Sequence, residues 1–203
     1  MRRYKNITKR FIDIILSFLG LLFLSPLFFL IALLIKVNSK GPIFFTQDRL
    51  GKNGHIFKIM KFRTMVNNAE KMGSGLSTYE GDPRITKVGK YLRKTSLDEL
   101  PQLINVLNGK MSIIGPRPPV PYHPKKYSEY DGEEAKRFNV SPGITGYAQI
   151  KGRNSLTWDE RIKYDVEYVE NYSLLLDFKI TCITFLKVFK SEDIHGPTRR
   201  KSE

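Results

Sequence analysis

Apolar residues in this chain fall into one long unbroken block followed by short, patterned ones. From Ile14 to Ile35 no side chain carries a charge. A helix of that length, at ~1.5 Å per residue, can cross the hydrocarbon of a bilayer. The block has no polar face, which argues against a buried core helix. It is too long for a removable signal peptide, and no small-residue cleavage site follows it. Ser25 and Pro26 sit near its middle. Pro26 has no N–H to donate and crowds the carbonyl of Leu22, while Ser25 can bond back to the carbonyl of Leu21, so a break is expected there.

Beyond the block the pattern shortens. Ile43–Gln47 and His55–Phe62 read as a hairpin about the turn Gly51-Lys52-Asn53-Gly54. It ends in Lys61-Phe62-Arg63-Thr64-Met65, with Lys61 and Arg63 on one side of the strand, where two cations can bind phosphate or, as the plainer reading, face solvent or lipid head groups. Asn67–Glu80 is a polar loop, Asp82-Pro83-Arg84 a turn, and Lys87–Leu92 a short helix ending near Arg93 and Lys94. A central helix is expected over Leu97–Leu107, from Leu100, Leu103, Ile104 and Leu107 at helical spacing, with Pro101 loosening its first turn or marking its true start. Met111–Ile114 is strand-like and leads into Gly115-Pro116-Arg117-Pro118-Pro119. Tyr122–Phe138 is charged and partly helical, Ser141–Gly146 is a Gly/Pro turn, and Lys151-Gly152-Arg153-Asn154 is a basic loop. Thr157–Asn171 is a charged helix bearing Tyr164 and Tyr168. In the last helix, capped by Ser173, Leu175, Phe178, Cys182, Phe185 and Phe189 share one face, and Asp177, Thr181, Thr184, Lys187 and Lys190 lie opposite. Packing of the apolar face on the core is the expectation, with the membrane interface as its alternative.

Charge sharpens the picture. The formal net charge is +14 over 203 residues, which favours anionic partners such as lipid head groups or phosphorylated substrates. Arg2, Arg3, Lys5, Lys9 and Arg10 precede the apolar block, and Lys36, Lys40, Arg49 and Lys52 follow it. Basic flanks belong on the cytoplasmic side, so a helix that enters one leaflet and returns satisfies both ends better than one that crosses. The expected division is a basic segment with a re-entrant membrane helix over residues 1–40, a cytoplasmic catalytic domain over 41–190 and a polar tail over 191–203. Cys182 is the single cysteine, so no internal disulfide forms, and the three histidines have no metal-ligand spacing. No nucleic-acid motif or basic–aromatic array is present, so nucleic acid is not an expected partner.

The candidate chemistry lies in Thr95-Ser96-Leu97-Asp98-Glu99-Leu100-Pro101-Gln102. Ser96-x-x-Glu99 before an apolar run has the form of a capping box, and Asp98 and Glu99 would complement a helix dipole. The same two carboxylates, set in a basic chain between Arg93 and Arg117, could instead carry a reaction. Flanking prolines fix the backbone on each side of Arg117, a good geometry for a phosphate clamp; the plainer reading is an exposed turn.

Taken together, the Ser25-Pro26 pair, Lys61-Phe62-Arg63-Thr64-Met65, Ser96-Leu97-Asp98-Glu99-Leu100-Pro101-Gln102, Gly115-Pro116-Arg117-Pro118, Pro142-Gly143-Ile144-Thr145-Gly146 and Asn154 resemble the bacterial sugar transferases, specifically the small monotopic phosphoglycosyl transferases. The resemblance runs from Lys9 to about Lys190. It implies an α/β, mostly helical fold: a re-entrant membrane helix plus a small cytoplasmic α/β domain with interfacial amphipathic helices. It also implies transfer of a phosphosugar from a UDP-sugar to undecaprenyl phosphate with release of UMP, dependent on Mg2+, at the cytoplasmic face of the bacterial inner membrane. On that resemblance Asp98 is the nucleophile and Glu99 its partner carboxylate, the two are the candidate magnesium ligands, and Lys61, Arg93 and Arg117 are the candidate substrate-binding cations. Membrane phospholipids and downstream glycosyltransferases are the implied partners. The chain matches the family's minimal form, without the extra transmembrane domain of longer relatives.

Overall fold

The computed structural model describes residues 2–73, 75, 78–79, 81–152 and 155–190. Asn154, the tail from Ser191, and the side chains of residues 2–6, among them Arg2, Arg3 and Lys5, and of Phe189 and Lys190 lie outside the described residues. The architecture is mostly helical with two small sheets. The break expected at Ser25-Pro26 does not occur: helix α1 spans Arg2–Asn38 and runs through Pro26. The carbonyl of Leu22, which Pro26 leaves without its helical donor, accepts a bond from Ser25 Oγ at 2.8 Å. The expected partner was Leu21; the donor instead reaches the carbonyl that the proline has freed.

Strands β1 (Phe44–Leu50) and β2 (Ile56–Phe62) form the expected hairpin, antiparallel with Phe44 opposite Phe62 and Leu50 opposite Ile56. Side chains alternate across it. Phe57, Ile59 and Lys61 point inward from β2, and Phe45, Gln47 and Arg49 are the half-buried row of β1. Helix α2 covers Lys87–Thr95, and a 3₁₀ turn follows at Leu97–Glu99. Helix α3 is Gln102–Leu107, so the helix proper begins after Pro101. Strand β3 (Ser112–Ile114) pairs in parallel with β4 (Gly143–Thr145). Helices α4 (Tyr147–Lys151), α5 (Trp158–Glu170) and α6 (Leu174–Lys190) complete the chain.

The capping box does not form at Ser96. Its backbone is left-handed (φ 56°, ψ 16°), and its side chain caps neither helix end. A capping box does form at Thr157, where Glu160 Oε2 accepts from Thr157 N at 2.8 Å and Thr157 Oγ1 from Glu160 N at 3.3 Å.

Helix α1 is fastened to the rest of the chain near both of its ends. Toward its start, Arg10 donates to the carbonyls of Val106 and Leu107 at 2.6 and 2.9 Å, a cation on the open C-terminus of α3. Lys9 meets Asp177 at 2.7 Å, and Asp13 accepts from Ile113 N at 3.1 Å. Toward its end, Ile31 and Ile35 pack with Phe62 and Leu92, joined by Leu97 and Leu100 of the 3₁₀ turn. Burying each such side chain is worth about 1.5–3 kcal/mol. Arg63, expected beside Lys61 and facing outward, is buried. It donates to the carbonyls of Ser39 and Lys40 at 2.8 and 2.7 Å, because the chain leaving α1 presents unpaired carbonyls there.

The rest of α1 is bare. Phe11, Phe23 and Phe29 are 63%, 74% and 75% exposed, and among the described residues this is the one helix long and apolar enough to cross a membrane. Helix α6 departs from expectation. Its apolar face points outward, with Leu175, Phe178 and Phe185 exposed, while Asp177, Ile180 and Thr184 face the core. The inward polar groups are satisfied there: Asp177 by Lys9 and by Tyr168 Oη at 2.7 Å, and Thr184 by Thr145 at 3.0 Å. Helices α1 and α6, joined at Lys9–Asp177, thus both carry extensive exposed apolar surface.

Helix α2 approaches the backbone just after β2 too closely for any side chain at Gly89, where a Cβ would fall 2.0 Å from the Thr64 carbonyl oxygen. Gly89→Ala is expected to cost about 3 kcal/mol or more, read as a fall in thermal unfolding temperature. Gly132→Ala, which meets nothing within 4 Å, serves as the neutral control.

Candidate active site

The 3₁₀ turn brings Leu97 and Leu100, three residues apart, to one side, where both pack under α1. Asp98 and Glu99 are thereby directed away from that apolar cluster. The turn is held against the hairpin by α3: Asn105 accepts from Met60 N at 2.9 Å and donates to the Lys58 carbonyl at 2.8 Å, like an added strand. Lys61, next along β2, reaches Glu99 Oε1 at 2.6 Å. Arg117 reaches the same oxygen at 2.8 Å from the turn after β3.

The two carboxylates therefore live in different environments. Burial pushes Glu99 upward, but Arg117 and Lys61 outweigh it and hold the carboxyl well below its ordinary range. Asp98 is 9% exposed and accepts no side-chain hydrogen bond among the described residues. Burial pushes it up to about 6, and Glu99 adds to the rise, against Lys61, Arg93 and Arg117. Adjacent carboxyls with divergent acidities are the signature of divided roles: one fixed anion, and one poised group with lone pairs to spare.

Of the residues singled out in the sequence, Asp98, Glu99, Lys61 and Arg117 come together. Arg93 stands at the end of α2, donating from Nε to Thr64 Oγ1 at 2.9 Å, and acts on Asp98 through charge without bonding to it. Ser25 and Pro26 lie on the exposed side of α1, apart from this cluster.

Two cations at the site escaped the sequence reading. In the sequence pattern Arg49 is only a charge flanking the apolar block. It donates to the Pro118 carbonyl at 3.0 Å and to Gln47 Oε1 at 2.6 Å, and burial together with Arg117 lowers it to about 10. Arg161 stacks over Trp158 at 5.0 Å and is lowered by burial and then by Arg117. Arginines that depress one another, with Glu99 already engaged, form a site whose field favours an incoming polyanion. Strand alternation, which sets Arg49 on the side of Phe45 and Gln47, was the signal available in the sequence.

No cluster of three or more metal-ligating side chains occurs among the described residues. Magnesium does not require one: it is held by one or two carboxylates with substrate phosphates and water completing the shell. Asp98, unbonded and at the edge of the cationic cluster, fits as such an anchor. Glu99 Oε1 is already taken by two cations.

A model of the family described as bacterial sugar transferase matches residues 4–191. The chain is 43% identical over 202 residues to the galactosyl transferase CpsE of Streptococcus agalactiae serotype III (strain NEM316), an alignment covering 93% of this chain and 44% of that protein. It is 44% identical over 190 residues to the UDP-glucose:undecaprenyl-phosphate glucose-1-phosphate transferase of Escherichia coli (strain K12), covering 91% of this chain and 40% of that one. It is 41% identical over 188 residues to the uncharacterized sugar transferase EpsL of Bacillus subtilis (strain 168), covering 93% and 90%. The chain thus spans less than half the length of the first two and nearly all of the third.

Proposed function

This chain belongs to the bacterial sugar transferase family, and from that premise we propose that it moves a phosphosugar from a UDP-sugar to undecaprenyl phosphate and releases UMP. The observation that carries the reading is the contrast between Asp98, buried and unbonded, and Glu99, pinned between Lys61 and Arg117. An oxygen of ionised Asp98 attacks the phosphorus that bears the sugar. The bond from that phosphorus to the bridging oxygen breaks, UMP departs with the electron pair, and an acyl-phosphate links Asp98 to the phosphosugar. An oxygen of the lipid phosphate then attacks the same phosphorus, the acyl-phosphate bond breaks, and Asp98 leaves as a free carboxylate.

Glu99 does not react. It fixes Arg117 and Lys61 where charge gathers on the transferring phosphoryl oxygens. Arg93, Arg49 and Arg161 draw in the diphosphate and the acceptor phosphate. Magnesium, held by Asp98 with Glu99 beside it, would screen the diphosphate against the carboxylates.

The placement of α1 supports a membrane-embedded enzyme with both ends of this helix on the cytoplasmic face. Arg10 and Asp13 near one end, and Ile35 near the other, contact the same body of residues 41–190. A helix crossing ~30 Å of hydrocarbon would leave its ends on opposite sides. A re-entrant form, bent at Ser25-Pro26, reconciles an apolar helix with two tethered ends. Phospholipids would then cover the outward faces of α1 and α6, and glycosyltransferases would consume the lipid-linked product. Single cysteines at positions 5 and 40, in a Cys182→Ser background, should both label from the cytoplasmic side only. Labelling of position 5 from the opposite side would show that the helix crosses.

The reaction is tested by incubating detergent-extracted protein with undecaprenyl phosphate, magnesium and a panel of UDP-sugars. UMP from one of them is the expected product. UDP would indicate transfer of the sugar alone and would overturn the acyl-phosphate route. A panel is needed because the relatives' names differ in the sugar, glucose in one and galactose in another.

A further inference from the structure

The turn that carries Arg117 is held in an unusual manner. Pro116, Pro118 and Pro119 have no N–H, so this stretch is anchored chiefly through its carbonyls. Four consecutive ones are engaged. Pro116 O accepts from Gly143 N at 2.9 Å, Arg117 O from Arg137 Nη2 at 3.0 Å, Pro118 O from Arg49 Nη1 at 3.0 Å, and Pro119 O from Leu50 N at 2.9 Å. Two of these donors are strand backbone. The other two are arginine side chains, and one of them, Arg137, is almost fully buried.

Arg137 is 2% exposed and Asp165, on α5, 1%. Their side chains meet at 2.5 Å through the same Nη2 that serves the Arg117 carbonyl. The guanidinium lies 5.5 Å from the ring of Phe138 and 5.9 Å from that of Tyr130. Arg137 Nε and Nη1 and Asp165 Oδ1 bond to nothing among the described residues. A buried ion pair with this many unmet groups is a poor source of stability, since apolar side chains of similar volume fill the same space without desolvating two charges. What they cannot do is donate to the carbonyl of Arg117.

We infer that Arg137, oriented by Asp165, is a positioning residue that sets Arg117 against Glu99. The catalytic consequence rests on the sugar-phosphate-transfer reading; the structural one does not. Arg137 never approaches the reacting atoms. It fixes the backbone from which Arg117 extends, between carbonyls tied to β1 on one side and β4 on the other. A shift of about 1 Å at such a group can cost on the order of 100-fold in rate.

The test is a paired replacement, Arg137→Met with Asp165→Leu, which removes both charges and leaves no orphan. Arg137→Lys, which keeps the ion pair but has one compact head to share, is the second variant should the pair not fold. Two readouts apply to whichever variant folds. In detergent-solubilised, 15N-labelled protein, the side-chain NH signals of Arg117, slowly exchanging while bound to Glu99, are expected to broaden or exchange rapidly. Unchanged signals overturn the inference whatever reaction the enzyme performs. In the UMP assay, the donor KM is expected to rise and kcat to fall, together on the order of tenfold or more, and the loss should vanish in an Arg117→Met background. A loss that adds in full to that of Arg117→Met would make Arg137 a packing residue and overturn the positioning role. Loosened Arg117 signals in a protein whose wild type releases no UMP would uphold the positioning and bring down the reaction instead.

Discussion

Asp98→Asn is expected to lower UMP release by roughly 10⁴-fold or more and, at the same time, to make the protein more stable at neutral pH. The first effect follows from losing the attacking oxygen. The second follows from its environment. Asp98 is held at about 6 in the fold, chiefly by burial, against an ordinary value of about 3.9. A raised carboxyl binds its proton more strongly folded than unfolded, so stability falls as pH rises from about 4 to about 6 and stays lowered above that. The ionised group costs the fold on the order of 3 kcal/mol. An amide carries no charge to bury and should recover about 1–2 kcal/mol of this. The check is thermal unfolding of wild type and variant in chelator at pH 7.5 and pH 5. The variant should lead at pH 7.5, and the lead should shrink at pH 5, where wild-type Asp98 is itself protonated. An Asn variant less stable than wild type at pH 7.5 would mean that Asp98 is a structural anion. Undiminished UMP release would remove it from the chemistry.

Glu99→Gln should do the opposite to stability although it lies one residue away. Its charge answers Lys61 and Arg117 at once, through a single oxygen at 2.6 and 2.8 Å. Glu99 is pulled below its ordinary range, so it contributes stability above its unfolded value, lost only as pH falls well into the acid region. Removing that charge leaves two cations facing each other with no counter-ion. Breaking such a pair costs about 3–5 kcal/mol when fully buried; with the Arg117 side chain 42% exposed, about 2–3 kcal/mol is expected. UMP release should fall by roughly 10²–10³, the loss typical of a disordered electrostatic clamp. Adding Lys61→Met to Glu99→Gln should restore part of the unfolding temperature without restoring turnover. If Glu99→Gln unfolds at the wild-type temperature, the three-way pairing does not hold the site together.

The parts of this molecule that were legible in its sequence are those written in local pattern. The apolar block, the hairpin, the α-helix starting after Pro101 and the capping of α6 by Ser173 each depend on neighbours within a few residues. What escaped depends on partners far along the chain. Ser96-x-x-Glu99 has the form of a cap, yet Glu99 is claimed by Lys61 and Arg117, 38 and 18 residues away, and Ser96 turns left-handed instead. Helix α6 was expected to turn its aromatic face inward by the ordinary logic of soluble proteins. In α6 that logic does not hold: Asp177 faces inward, where Lys9 and Tyr168 meet it. Lys61 sits in the inward row of Phe57 and Ile59, and an inward lysine in a strand demands a buried anion. That inference was available from alternation alone. The shared Arg49, Arg117 and Arg137 anchorage was not, because carbonyl acceptors leave no mark in a sequence.

The contact between Lys9 and Asp177 joins residues 168 positions apart. A ribosome adding about 5–20 residues per second delivers the second partner roughly 10–30 seconds after the first. For that interval α1 has emerged, and Val106, Leu107 and Ile113 come to fasten Arg10 and Asp13, but the partner of Lys9 has not been made. The residues that hold its end arrive earlier, with the hairpin and α2. Assembly must therefore close from the later part of the helix backward, and a chain truncated before α6 would keep the anchors at Arg10 and Asp13 but lack the one at Lys9.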